Sequence, residues 1–304
     1  MHDQTIAFTT PPAAPRWKRW LLFSPLARIV IFVLLFMALS FATGALMHVL
    51  GWLGKDVPAT VHGLAQLLVR AVPALLAYLL LVRFVERRPL TELAPRRLLP
   101  DGAIGAAAGL LLFSAVVGVL YLLGSYRVTG THPDAAWLPA MLMFGLGAGI
   151  GEEIITRGVL FRIVEEGLGT WVALIVSALI FGAAHIANPG ATLWSSATIA
   201  IGGGLLFGLV YHVTRSLPVC MGLHAAWNFA QGTIYGIPVS GLKADGWLVS
   251  TRSGPDWLSG GVFGAEASVI ALTLCSLGTL ALLAVAVRRG SIVPRRSWRR
   301  LGRH

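Results

Sequence analysis

Charge is scarce in this sequence. Of its 304 residues, 12% are Asp, Glu, Lys or Arg, about half the share found in an ordinary soluble domain. With 56% hydrophobic residues and a mean hydropathy of +0.76, too few polar side chains remain to cover a water-facing surface, which excludes a soluble globular domain of usual make-up. Only two cysteines occur, Cys220 and Cys275, each inside an apolar run. Neither their spacing nor their context suggests a disulfide or a metal knuckle. The string GxSxG is missing and no Asp falls inside an apolar run, so serine and aspartate hydrolases have no support. A zinc hydrolase, for which Glu152, His185 and His224 offer metal-type ligands, is the nearest enzymatic rival but lacks its usual HExxH string. No internal repeat is detectable, which counts against a transporter built from inverted halves. The net charge of +11 comes from arginines that cluster beside apolar runs. Cytoplasmic loop charge and anionic lipid headgroups account for it, and no nucleic-acid partner is expected.

What the chain does have is long apolar runs. A bilayer span needs about 20 apolar residues in helical form, and runs of that kind fall at residues 27–50, 61–84, 103–124, 137–163, 169–187, 193–213, 217–236 and 264–287. The expected fold class is therefore all-α: a polytopic membrane protein, a bundle of about eight transmembrane helices. Residues 1–26 read as a basic cytosolic tail, 27–287 as the transmembrane helical domain and 288–304 as a second basic cytosolic tail. The first apolar run is too long for a signal-peptide core and has no clear cleavage site after it. With both termini cytoplasmic, 19 of the 24 Lys and Arg fall inside and four outside, with Arg70 within a span. That asymmetry sets the expected orientation.

Ionisable groups inside such runs are rare and costly, so each one is a functional hypothesis. The stretch GEEIITRGVLFR at residues 151–162 puts Glu152 and Glu153 in one of the most apolar parts of the chain. On a helix Glu153 and Arg157, at i and i+4, share a face and form an ion pair, while Glu152 points about 100° away. The next run carries Phe181 and His185 on one face, and the seventh carries His224 and Asn228 at the same spacing. A single histidine or pair of this kind reads as a core residue bonded to a carbonyl. Together they suggest chemistry: Glu152 and His185 hold a water between them, and His224 with Asn228 donates hydrogen bonds to the oxyanion formed when that water attacks an amide. Arg70 and His212 have no partner at helical spacing and read as locally satisfied. The glycines at 145, 147, 149 and 151, and at 202, 203, 204 and 208, read as sites of close helix packing.

The three strings EExxxR, FxxxH and HxxxN, in this order and spacing from about residue 137 to 236, resemble the motifs of the CAAX protease and bacteriocin-processing family, in its bacterial branch. The resemblance implies an eight-helix membrane bundle and an intramembrane glutamate-type endopeptidase. Its substrate would be a membrane-associated peptide or protein, either lipidated or a leader or signal peptide. By motif, Glu152 and His185 activate water, His224 and Asn228 form the oxyanion hole, and Glu153, Arg157 and Phe181 support them. No metal or other cofactor is expected. The implied location is the bacterial inner membrane. Two other classes remain at this point: a non-catalytic membrane protein that binds a partner or confers bacteriocin immunity, and a proton-coupled transporter.

Overall fold

The computed structural model describes residue 8 and residues 10–295. The ends of both expected tails, residues 1–7, 9 and 296–304, lie outside the described residues. A short basic helix, α1 (Arg16–Leu21), leads into α2 (Pro25–Val49). Ser24 caps α2 by accepting from the Ala27 N–H, and Pro25 occupies the first turn, where a missing donor costs nothing. Then follow α3 (Ala59–Glu86), α4 (Pro95–Leu122), α5 (Trp137–Leu168), α6 (Thr170–Ala187) and α7 (Leu193–Thr214). Residues 217–234 form α8, and α9 is Val269–Arg288.

Seven of these helices are long and apolar enough to cross a membrane. The eighth expected span, α8, falls short of that apolarity because it carries His224, Asn228 and Gln231. Those side chains are buried in the bundle rather than turned toward lipid. Outside, large apolar side chains stand bare: Phe41 is 81% exposed and Leu122 82%, a surface that suits hydrocarbon and not water.

Among the described residues the helices are joined by one small sheet. Strands β1 (Tyr126–Thr131) and β2 (Leu248–Arg252) pair antiparallel, with a bulge between Val128 and Gly130. They join the connection after α4 to the loop after α8, a region with no recognisable motif in the sequence. Because the helices alternate in direction, this sheet lies at the end of the bundle opposite Arg28, Glu86 and Arg162.

At that other end, the arginines meet acids from distant parts of the chain. Arg28 bonds Glu86 (2.8 Å) and Glu166 (2.6 Å), and Arg162 bonds the same two carboxylates at 2.9 and 3.0 Å. Arg88 bridges Glu86 and Glu92 (2.8 and 2.6 Å). His212, which has no partner at helical spacing, finds Glu165 at 2.7 Å and Ser291 at 3.0 Å.

The site is carried by the closest helix contact in the bundle, that of α4 with α8. A Cβ on Gly105 would meet the Val219 carbonyl at 2.0 Å, one on Gly109 the Leu223 carbonyl at 2.2 Å, and one on Gly222 the Gly102 carbonyl at 2.1 Å. Only glycine lets the two backbones approach this far. Gly151 similarly seats α5 against Arg70 of α3, and Gly149 seats it against α8.

Candidate active site

The acidic pair sits at mid-length in α5, on a regular stretch (Ala148–Glu153) between two wider π-helical ones, Met141–Gly147 and Ile154–Phe161. Such turns alter which side chains share a face and recur at functional sites. Here they leave the two glutamates in different surroundings. Glu153 is fully buried, and its Oε1 accepts from Arg157 Nη1 at 3.0 Å and lies 2.8 Å from His224 Nδ1. Arg157, also fully buried, donates further to the carbonyls of Gly203 and Gly204 in α7. Its guanidinium carbon lies 4.7 Å from the Phe181 ring centroid and 5.3 Å from that of Phe207, within cation–π range.

Glu152 has a side chain 37% exposed. It lines a cleft with Arg70, Phe36 and Gly151. Its Oε2 is enclosed and has no hydrogen-bond partner. The imidazole beside it is that of His224, whose Nε2 is 4.0 Å from Oε2. The sequence reading set Glu152 opposite His185; in the structure His224 occupies that place, because the Glu153 bond to Nδ1 turns the other ring nitrogen toward Glu152. A carboxylate only accepts, so Nδ1 carries the hydrogen, and Glu152 and Glu153 together supply the negative charge that an imidazolium needs.

His185, His224 and Asn228 line one cavity, with Phe181 and Trp227 among its walls. His185 opens the last turn of α6 (His185–Ala187), with Nδ1 2.7 Å from the Phe181 carbonyl. That bond fixes the hydrogen on Nδ1 and leaves Nε2 for the cavity. The Phe181 ring centroid lies 4.8 Å from that of His185 and 6.2 Å from that of His224, so one aromatic side chain limits how both imidazoles move. Asn228 Nδ2 donates one hydrogen to the Phe144 carbonyl at 2.9 Å; its other N–H remains for a second acceptor.

Among the lining residues not singled out in the sequence are Ser240 and Glu266. The signal for Glu266 was available, since it falls inside the expected span 264–287, where a carboxylate is costly. Ser240 lies in the loop after α8, and nothing in the sequence marks it. Among the described residues, no group of three or more His, Cys, Asp or Glu could hold a metal ion.

A membrane-embedded helical bundle with carboxylate, imidazole and amide groups gathered at its centre defines an integral membrane protein with a buried polar site. Residues 134–230 match the family model described as Type II CAAX prenyl endopeptidase Rce1-like. The matched segment contains all seven residues of the motifs, from Glu152 to Asn228. That family is one of peptidases, so this match over residues 134–230 supports a membrane peptidase acting on a peptide or protein. A search of curated proteins gives no match.

Proposed function

We propose that the protein is an intramembrane glutamate-type endopeptidase. The observation that carries this reading is the unpartnered Glu152 Oε2, enclosed and 4.0 Å from His224 Nε2. That separation is too long for a direct hydrogen bond and short enough for one water to lie about 2.8 Å from each atom. Glu152 removes a proton from the water, and the oxygen attacks the carbonyl carbon of the scissile amide. His185, with Nε2 free toward the cavity, orients the water through its second hydrogen. The carbonyl oxygen becomes an oxyanion, which accepts from His224 Nε2–H and the free Asn228 N–H. The C–N bond then breaks, and the proton held by Glu152 passes to the departing amine. Glu153 fixes His224 from behind, and Arg157 holds Glu153.

The proposed substrate is a membrane-associated peptide, either lipidated or a leader or signal peptide. The proposed location is the cytoplasmic membrane of a bacterium. The tails at 1–26 and 288–304, and the end of the bundle that carries Arg28, Glu86 and Arg162, lie on the cytoplasmic side in this reading.

The deciding experiment compares protein termini, by mass spectrometry, in membranes and medium of host cells carrying either the wild-type protein or Glu152→Gln at equal abundance. Gln fills the same space but takes no proton from water, so termini present only with wild type are the expected result. Identical termini, under conditions where deletion has a phenotype that Glu152→Gln rescues, would instead point to a non-catalytic partner-binding role.

A further inference from the structure

Glu266 sits on a short turn, Ala265–Ala267, just before α9, outside the segment matched to the family model. It is 93% buried, being 7% exposed, and among the described residues it has no ion-pair partner. A buried carboxylate without a counter-ion is costly. Its Oε1 accepts twice from Ser240, from the backbone N–H at 2.6 Å and from the hydroxyl at 2.9 Å.

Ser240 is itself unusual. Its φ of +48° is left-handed, which non-glycine residues adopt seldom and which tends to persist where surrounding contacts enforce it. The next residue, Gly241, also left-handed, packs where a Cβ would meet the Pro189 carbonyl at 1.8 Å. The Ser240 loop therefore lies against the segment that follows His185. Gln231 of α8 holds the same loop through a 2.6 Å bond to the Pro238 carbonyl. Glu266, Ser240 and His185 all open onto the cavity that holds His224 and Asn228.

We infer that Glu266 is a positioning residue of this site: it fixes the Ser240 loop as one wall of the cavity and serves as the counter-charge of His185. The inference rests on the peptidase reading for what His185 does, though not for the pairing itself. Nδ1 of His185 is committed to the Phe181 carbonyl, so any proton the ring gains during turnover arrives at Nε2, on the cavity side. The carboxylate placed to balance that charge across the cavity is Glu266. The titratable groups on the cavity wall are His185, His224, Glu266 and Cys275. Behind them stand Arg157 at Phe181 and the glutamates 152 and 153 at His224. Arg252 of β2 also feels the charge of Glu266. Burial pushes the Glu266 carboxyl above the usual carboxylate range, while the Ser240 hydrogen bonds and the charge of His185 act against that rise.

The test reads the pair directly. In full-length protein in lipid nanodiscs, infrared titration follows the carboxyl C=O band that disappears in Glu266→Gln. In His185→Gln the midpoint of that band is expected to move up by about one pH unit, a tenfold change in proton affinity. His185→Asn serves as the second variant if His185→Gln does not fold. An unchanged midpoint in a variant that melts like wild type overturns the assignment. In the comparison of termini, Glu266→Gln is expected to lower Glu152-dependent products about tenfold or more, and Glu266→Asp to restore part of them. Full processing by Glu266→Gln would also overturn it. If no Glu152-dependent termini exist, the peptidase reading fails, and the infrared result still decides the pairing.

Discussion

At the scale of single residues, the site depends on which hydrogen bonds are already committed. Asn228 spends one N–H on the Phe144 carbonyl and keeps one for the reaction. Asn228→Ala is therefore expected to lower turnover about 100-fold or more, the usual cost of losing one oxyanion donor, when measured on a substrate found by mapping termini. Turnover near the wild-type rate would remove Asn228 from the site. Arg157 serves stability more than chemistry. Removing it leaves the fully buried Glu153 with His224 as its remaining partner and takes away its fixed guanidinium, so Arg157→Ala is expected to cost about 3–5 kcal/mol, read as a fall in melting temperature and in membrane accumulation. Glu266 runs the other way. Its folded-state pKa is raised, so its contribution to stability is present below the unfolded carboxylate value of about 4.3 and is lost as pH rises through the folded value. Glu266→Gln, which never ionises, should thus melt at or above wild type near pH 8 and level with it near pH 4. A lower melting point at the higher pH would show that the charge stabilises the fold.

At the scale of helices, the placement of His224 and Asn228 rests on the contact of α4 with α8. Gly105, Gly109 and Gly222 admit backbone at distances no side chain tolerates. Gly222→Ala must push the helices apart, at a cost of about 1–3 kcal/mol for overpacking. The same displacement carries His224, two residues further on, away from Glu152 and Glu153. Lost processing together with a lowered melting temperature is expected; a fully active Gly222→Ala would show that the site tolerates looser packing. Neither Gly105 and Gly109 nor their partner Gly222 was singled out in the sequence, because the match lies between helices far apart in the chain.

At the scale of the whole molecule, the bundle is tied at one end by buried ion pairs and closed at the other by the two-stranded sheet and the Ser240 loop. Glu92, in the turn between α3 and α4, shows the sense of the pH dependence. Burial raises its carboxyl, but the hydrogen bonds and charge of Arg88 outweigh this and hold it below the usual range. Its contribution is therefore present above about pH 4.3 and lost as pH falls through the lower folded value. Melting temperature should fall on acidification below about pH 4. Arg88→Gln should lower it already at neutral pH and flatten the acid dependence. An unaltered profile would show that this cluster does not hold the bundle together.

Length and hydropathy determined that the chain is a helical membrane bundle, because a hydrocarbon layer demands long apolar helices whatever their neighbours are. The expected spans agree with the helices to within a few residues, apart from the start of α4 and the end of α5, where polar turns continue the helix beyond the apolar run, and the start of α9, where the Ala265–Ala267 turn precedes a helix that begins only at Val269. The three motifs were legible for the same reason: spacing at i and i+4 along one helix puts Glu153 beside Arg157 and Phe181 beside His185. Only the tertiary structure decided which groups meet across helices. It set His224, and not His185, beside Glu152, gave His212 its partner in Glu165, and brought Glu266 and Ser240 into the cavity. Those pairings depend on how helices distant in the chain are turned and how closely their glycines let them approach, and no local spacing in the sequence carries that information.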